Sequence, residues 1–537
     1  MALGFLGSAE AAPTVVRAGG PSSPTESKVA IIGSDRRLRG ARFRVLDERG
    51  SVVFTGPVQN VRGYHRPWRH AFKADFSSLR VPGRYVVRVA GRSSRPWTVR
   101  AAGSAPLIPQ LLNYLRTNRD GHEPALLHGP SHLNDARLAD GTPIDMTGGW
   151  MDAGDMIHFT QTTALVAAQL EAAARLAPVH AAALGEEADV GIRWLIKAHP
   201  AGTDLFIAQV ADERDHFALG YRDPATDDAS GVPGIAVRRA YPGVGADVAG
   251  KAAAALALAA ERGSPAAPAA TLLQLAREWY AAGRAAAAPL RELPAPSGGF
   301  YLARPWRDDM AGGAAALARA TGEDEYLRQA MGYLAGSKDP NGFGWIENGS
   351  FATADICGAL GAPALGTPAQ RKAACDHLFD AARDARTNVR RDAFGLAGYL
   401  TWGTTAENSS YGAAAALAAR AGRRGAHRVA VQARDWMLGR NPWGASLVAG
   451  FGPRSPKKLH HWASVFGDGL PDGAVVGGPA PRRDVLAERL RPRRAPFDRF
   501  STARAVYEDR RSNYVTSEPA IDYNGATILM LAALADD

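Results

Sequence analysis

The sequence has very little cysteine and no long apolar run, and both absences exclude classes of protein. Its 537 residues include only Cys357 and Cys375, too few for a disulfide framework and not at a metal-ligand spacing. Whether these two form one bridge or two buried thiols stays open at this stage. No stretch reaches the roughly 20 apolar residues that a membrane-spanning helix needs, so we expect no membrane association.

Acidic residues are outnumbered, since 63 Lys and Arg against 53 Asp and Glu give a formal net charge of +10. An excess of positive charge can bind nucleic acid or an anionic polysaccharide, and the densest basic run lies at 481–500. Acidic residues interrupt that run, which favours a solvated surface loop and argues against a nucleic-acid partner.

The N-terminus, MALGFLGSAEAAP, lacks the charged start and full apolar centre of an export signal. It does have a short apolar stretch followed by small residues, as the end of such a signal would. We therefore expect residues 1–26 to be a flexible tail or signal remnant. A secreted or cell-envelope location is an expectation that rests on this incomplete signal.

Residues 27–101 have the pattern of short strands. Runs such as RFRVL and RYVVRV alternate or nearly alternate apolar and polar residues and are separated by turn formers, which predicts a small β-sandwich. The segment has no cluster of titratable residues suited to catalysis, so we predict an accessory domain.

Residues 106–537 have helical periodicity and a high alanine content, which favours helix formation and close helix packing. The helical segments are separated by long Gly, Pro and aromatic stretches, and loops of that length in a compact domain are usually functional. We predict one all-α barrel whose working surface is built from these loops: 141–160, 204–247, 296–311, 338–356 and 440–480.

Two aspartates precede the first long helical segment, in GGWMDAGDMIHFTQTTA at 148–164. Asp152 and Asp155 lie three residues apart at a loop-to-helix junction, where both can face one cleft and hold and deprotonate a water molecule. An alternative is that one of them only caps the helix. The intact GGW and DAGD groups favour the catalytic interpretation.

A second carboxylate group lies near the C-terminus, in YEDRRSNYVTSEPAIDYNGA at 507–526. It contains Asp509, Glu518 and Asp522 before another helix. Glu518 alone would be an ordinary helix-capping acid. Paired with the first group it completes the acid and base that hydrolysis of a glycosidic bond requires.

A third segment, LGRNPWGASLVAGFGPRSPKKLHHWAS at 438–464, contains His460 and His461 in a Gly- and Pro-rich loop. No acidic or cysteine partner lies nearby at metal spacing, so a hydrogen bond to a sugar hydroxyl is favoured over metal binding.

These three segments, in this order, resemble glycoside hydrolase family 9. Members carry GGW-x-DAGD, LG-x-NP…S-x-V-x-GFG…HH and a late Y-x-D-x4-Y-x3-E-x-A-x3-N pattern, and segments 209–224 and 238–259 agree further. The last pattern reads here Tyr507, Asp509, Tyr514, Glu518, Ala520 and Asn524. Residues 27–101 are similar to the immunoglobulin-like N-terminal domain of one branch of the family.

The resemblance implies an (α/α)6 barrel that hydrolyses β-1,4-linked glucans with inversion of the anomeric carbon. Asp155 would be the general base, Asp152 would help to hold the water, and Glu518 would be the general acid. The expected substrate contacts are His460, Asp509, Trp462, Trp150 and Tyr514. One departure affects specificity: Trp462 stands where the family usually has an Arg that contacts substrate hydroxyls, which replaces hydrogen bonding by stacking.

The resemblance implies no required cofactor, although it allows a structural calcium ion, for which the acidic loop Asp223–Asp228 is a candidate. The expected partner is a polysaccharide or oligosaccharide, and the oligomeric state is left open. Alternative functions are an exo-acting enzyme on another β-linked saccharide such as a glucosaminide, a polysaccharide lyase, and a non-catalytic glycan-binding protein.

Overall fold

The computed structural model describes residues 13–302, 304–337, 349–466, 469–491 and 500–535. In these residues an antiparallel β-sandwich is followed by a helical barrel, which confirms the predicted fold class.

Two sheets form the sandwich, with strand orders β1-β2-β6-β5 and β4-β3-β7-β8, and β9 pairs with β7. In β3, Phe43 and Val45 are buried while Arg42 and Arg44 are exposed, because successive side chains of a strand point to opposite faces. The strands are β1 (Val15–Arg17), β2 (Val29–Ser34), β3 (Arg42–Leu46), β4 (Val52–Pro57), β5 (Gln59–Asn60), β6 (His70–Asp75), β7 (Gly83–Val89), β8 (Arg92–Ser93) and β9 (Trp97–Val99).

The sandwich begins earlier than the boundary predicted at residue 27. Strand β1 pairs antiparallel with β2, with Val16 opposite Ile32, so part of the predicted tail is the edge of a sheet. Only two consecutive valines mark this strand among Ala, Gly and Pro, too short a run for periodicity to reveal. Residues 1–12 of the predicted tail lie outside the described part of the chain.

The sandwich packs firmly against the helical domain. The ring of Trp68 lies 5.5 Å from Phe394 and 5.6 Å from Phe500. Buried Arg434 donates to Glu26 at 2.5 Å, which joins the linker side of the sandwich to a helix of the barrel.

The helical domain contains, in chain order, α1 (Ile108–Thr117), α2 (Thr160–Leu176), α3 (Ala181–Ala198), α4 (Glu213–Phe217), α5 (Ala246–Arg262), α6 (Ala269–Ala286), α7 (Arg307–Thr321), α8 (Asp324–Gly336), α9 (Gly349–Cys357), α10 (Pro368–Arg391), α11 (Thr404–Arg420), α12 (Ala426–Met437), α13 (Ala463–Phe466), α14 (Arg482–Ala487), α15 (Tyr514–Ser517) and α16 (Ile521–Ala533). Short strands in its loops form a three-stranded sheet, β10 (His158–Phe159), β11 (Ile207–Val210) and β12 (Ala240–Pro242), and a pair, β13 (Ala480–Pro481) and β14 (Ala505–Val506).

Helices α2, α5, α7, α9, α11 and α16 contact one another in sequence, and α16 returns to α2, which closes an inner ring. Helices α3, α6, α8, α10 and α12 pack against this ring from outside, and α1 packs against α16, as in an (α/α)6 barrel. Alanine and glycine permit the close approach: a Cβ at Gly250 of α5 would collide with the backbone at Asp309 of α7.

Cys357 at the end of α9 and Cys375 in α10 form a disulfide, which resolves the question that the sequence left open. None of the described helices has the length and apolarity needed to cross a membrane.

Candidate active site

The carboxylates from the two ends of the helical domain meet at one end of the inner ring. Asp152 and Asp155 precede the N-terminus of α2, and Glu518 precedes that of α16. Since α16 packs against α2, the ring closes where these loops lie, and the helix N-termini favour nearby negative charge. The fold therefore brings the two predicted carboxylate groups together.

Backbone hydrogen bonds connect the three loops that carry the sequence motifs. The Ile521 amide donates to the Asp152 carbonyl at 2.9 Å, and the Trp462 amide donates to the Gly154 carbonyl at 3.2 Å. The His460 amide donates to the carbonyl of Ser517 at 3.2 Å. Each loop is thus held by the other two, which fixes the position of the side chains between them.

Asp152 is almost fully buried and is held by two hydroxyl donors. Thr162 Oγ1 donates to Oδ1 at 2.5 Å, and the Tyr301 hydroxyl donates to Oδ2 at 2.8 Å. Burial raises the pKa of Asp152 to about 7; the Thr162 hydrogen bond opposes this rise and the charge of Asp155 adds to it. Asp152 is therefore a fixed group whose charge depends on pH near neutrality.

Asp155 is half-buried and interacts with a histidine distant in sequence. The Ile157 amide donates to its Oδ1 at 3.1 Å, and His216 Nδ1 lies 2.5 Å from its Oδ2. Burial alone would lower the pKa of His216, but the hydrogen bond and the charge of Asp155 raise it to about 9. At neutral pH the imidazolium donates to the carboxylate, a charge-assisted hydrogen bond.

Glu518 has the properties of a proton donor. Burial raises its pKa to about 8, the His216 charge opposes this, and the charges of Asp155 and Asp152 add to it. The group is therefore mostly protonated at pH 7, as a general acid must be. Behind this cleft, burial followed by the charge of Asp152 raises the pKa of Asp522 well above its ordinary value.

Asp509 and His460 belong to the loops around the acid and make different contacts. The carboxylate of Asp509 accepts the backbone N–H groups of Lys457 at 3.0 Å and Lys458 at 2.8 Å, so it supports the loop that ends at His460. His460 Nδ1 lies 2.6 Å from the Tyr221 hydroxyl and 2.9 Å from the Arg511 carbonyl oxygen. Burial lowers the pKa of His460, so the ring is neutral at physiological pH.

Tyr514 extends the aromatic surface from His460. Its ring centroid lies 5.4 Å from that of His460 and 5.8 Å from that of Trp402. The Tyr514 hydroxyl donates to Glu488 at 2.8 Å, which fixes the orientation of the half-buried ring.

Trp150 and Trp462 do not lie where the sequence placed them. Trp150 is fully buried, packs against Gly191 and donates to Glu187 at 2.9 Å. Trp462 is only 1% exposed and lies in an apolar cluster with Met151. Protein covers both indole rings, so the prediction that they contact substrate does not fit this structure. An indole in the place of the usual Arg here fills space under the loop.

The side chains considered above as metal ligands make contacts with other protein groups. Buried His461 lies 3.0 Å from the Asn118 side chain. In the acidic loop, Asp223 caps a short helix, Asp227 pairs with Arg222, and Asp228 accepts the Leu133 amide. In the part of the chain that the structure describes, no group of three or more His, Cys, Asp or Glu is arranged to hold a metal ion.

Three residues of the site were not singled out from the sequence: His216, Tyr221 and Tyr301. His216 and Tyr221 lie within the 209–224 segment that agreed with the family, so its match there was an available indication. Tyr301 is a single tyrosine in a Gly-rich loop with φ of 55°, and nothing in its local sequence marks it.

We expect Gly154→Ala to lower both the stability of the protein and its activity, although it adds only one methyl group. A Cβ at residue 154 would overlap the backbone oxygen of His460 and lie 2.9 Å from Glu518 Oε1. The loops must separate to admit it, at a cost of about 2 kcal/mol in unfolding free energy and a fall in kcat. Thermal unfolding and steady-state kinetics measure this, with Gly469→Ala, where a Cβ meets nothing within 4 Å, as the control. Equal behaviour of the two variants would contradict the expected collision.

A six-hairpin barrel that brings buried Asp152 and half-buried Asp155 together with a glutamic acid of raised pKa has the groups that an acid–base hydrolase requires. Sequence comparison identifies which one: the profile of "Glycosyl hydrolase family 9" matches residues 106–531, and that of "Cellulase N-terminal ig-like domain" matches residues 23–94. The chain belongs to glycosyl hydrolase family 9.

Individual proteins agree with this membership. Endoglucanase 14 of Arabidopsis thaliana is 30% identical over 475 residues, covering 80% of this chain and 92% of that protein. Endoglucanase B of Cellulomonas fimi is 27% identical over 480 residues, covering 81% of this chain but 42% of that longer protein. A crystal structure of a thermostable endoglucanase from Alicyclobacillus acidocaldarius has the same fold, with a TM-score of 0.81 at 23% identity over 98% of this chain and 100% of that chain.

Proposed function

We propose that this glycoside hydrolase is an endo-1,4-β-glucanase that inverts the anomeric configuration. The observation that carries the proposal is the pairing of a mostly protonated Glu518 with the Asp152/Asp155 pair across the junction of α16 and α2. The relatives named endoglucanase support the substrate class.

In the proposed mechanism Glu518 donates its proton to the glycosidic oxygen as the bond to the anomeric carbon breaks. Asp155 removes a proton from a water molecule that attacks the opposite face of the sugar. Asp152 accepts a hydrogen bond from that water when ionised, while the hydroxyls of Thr162 and Tyr301 hold its carboxylate in place. The His216 imidazolium keeps Asp155 oriented toward the water and stabilises its charge.

The disulfide between Cys357 and Cys375 supports a further part of the proposal, that the protein acts in an oxidising compartment outside the cytoplasm. An extracellular polysaccharide would be accessible there. No bound metal or cofactor is needed for the proton transfers described.

A substrate panel followed by NMR tests the proposal. Hydroxyethylcellulose, cello-oligosaccharides, xylan, mannan and chitosan oligomers would be compared, with viscosity and reducing ends measured together. We expect the β-glucans to be cleaved with an early fall in viscosity, and the new anomeric signal to appear first as the α form. Release of only terminal sugars would contradict endo action. Preference for chitosan oligomers would contradict a glucan substrate, and a product that appears first as the β form would contradict inversion.

A further inference from the structure

A basic groove lies beside the candidate acid and takes no part in the mechanism above. It has a volume of about 540 Å³ and is lined by Tyr221, Lys458, His460, Arg510, Arg511 and Ser512. The amide of His460, which lines the groove, donates to the carbonyl oxygen of Ser517, the residue before Glu518, so the groove lies next to the segment that carries the acid.

The positive charge of this groove is only partly neutralised by the protein. Arg510 pairs with buried Glu508 at 2.9 Å. Arg511 donates instead to the neutral carbonyl oxygen of Ser464 at 2.9 Å, and Lys458 contacts Asp509 through its backbone amide. In the described ranges neither the Lys458 ammonium nor the Arg511 guanidinium forms an ion pair with a carboxylate, and both residues are exposed.

Within the part of the chain that the structure describes, the Lys458 ammonium and the Arg511 guanidinium have no carboxylate partner, and they lie next to the proposed sugar-binding site. They could therefore bind an anionic group carried by the sugar. A guanidinium presents two parallel N–H donors that match a planar carboxylate, and a nearby ammonium adds charge without fixed geometry. The half-buried side chains of Tyr221 and His460, which lie 2.6 Å apart between the hydroxyl and Nδ1, also line the groove.

We infer that the basic groove is a subsite for a carboxylate carried by the substrate, so that β-1,4-glucans bearing uronic acid residues are preferred over neutral ones. The inference rests on the proposed function and narrows its substrate class. Lys458 and Arg511 are the residues that would contact the carboxylate.

The test compares cello-oligosaccharides of one length, neutral or with one glucose oxidised to glucuronic acid, in the full-length enzyme. In Lys458→Gln and Arg511→Gln we expect the ratio of kcat/KM, carboxylated over neutral, to fall about five- to tenfold through a higher KM. Lys457→Gln is the matched control: this exposed lysine also gives its amide to Asp509 but does not line the groove, so the ratio should stay within about twofold.

Salt provides a second readout, because partly exposed charges are screened. Raising the salt concentration should raise KM for the carboxylated oligosaccharide and leave KM for the neutral one nearly unchanged. Calorimetric titration of the same ligands into a Glu518→Gln enzyme repeats the comparison without turnover. The inference would be overturned if the ratio of kcat/KM, carboxylated over neutral, were the same in Lys458→Gln, Arg511→Gln and Lys457→Gln as in the wild type. A wild-type enzyme that cleaves neither oligosaccharide would instead overturn the proposed function.

Discussion

Replacing Glu518 by Gln is expected to lower kcat about 1,000-fold while the enzyme still binds cello-oligosaccharides. The amide has nearly the same shape as the protonated carboxyl group but cannot give up a proton to the leaving oxygen. Steady-state kinetics and calorimetric titration measure the two effects, with Glu488→Gln as the control, because it removes only the charge of the group that accepts from the Tyr514 hydroxyl. Turnover retained above about a tenth of the wild-type value would show that another group is the acid.

The pH dependence of the wild-type enzyme follows from the same residue. Since the pKa of Glu518 is raised to about 8, the acid is protonated at neutral pH, and kcat/KM should fall as the pH rises through about 8. Stability should change in the same direction. A carboxyl group whose folded pKa exceeds its unfolded value stabilises the fold fully below the unfolded pKa and loses that contribution as the pH rises through the folded pKa.

For Glu518 this stabilisation is lost as the pH rises from the ordinary pKa of 4.5 to about 8, and for Asp152 as it rises from 3.8 to about 7. The Glu518→Gln variant should therefore lose less unfolding free energy between pH 5 and 8 than the wild type. Chemical denaturation at several pH values measures this difference.

The sequence was sufficient to predict the fold and to single out the three carboxylates that the structure brings together, because each was marked locally. Alanine-rich segments of helical period predicted the barrel, and Asp152, Asp155 and Glu518 lie within motifs read from a few consecutive residues. Their meeting followed from topology alone, since the first and last inner helices of a closed ring are neighbours.

The side-chain contacts that orient these carboxylates and shift pKa values in the site could not be predicted in the same way. His216 reaches Asp155 across 61 residues, and Tyr301 reaches Asp152 across 149. Such pairs depend on how loops fold over the ring, about which helical periodicity says nothing. Trp462 shows the opposite case, a residue that the sequence singled out and the structure buries. An aromatic residue in a loop can stack on a ligand or pack beneath the loop, and only its burial distinguishes the two.

We expect Asp155→Asn to lower kcat by about 1,000-fold, since an amide cannot accept the proton of the attacking water. It should also change His216, whose pKa of about 9 depends on the Asp155 hydrogen bond and charge. Without that charge, burial is less opposed, and the pKa of His216 should fall from its wild-type value of about 9. Rapid-quench kinetics and NMR titration of the imidazole measure the two effects in one variant.

Asp152→Asn is the comparison that separates the two aspartates. Its side chain receives two hydroxyl donors, and an amide can accept only at its oxygen, so either the Thr162 or the Tyr301 contact must reorganise. Because the proposed role of Asp152 is to hold the water without taking its proton, we expect a smaller loss, about 10- to 100-fold, with the His216 pKa still raised. If Asp152→Asn instead lost more activity than Asp155→Asn, the base would be Asp152, and Asp155 with its histidine would be the group that positions the water.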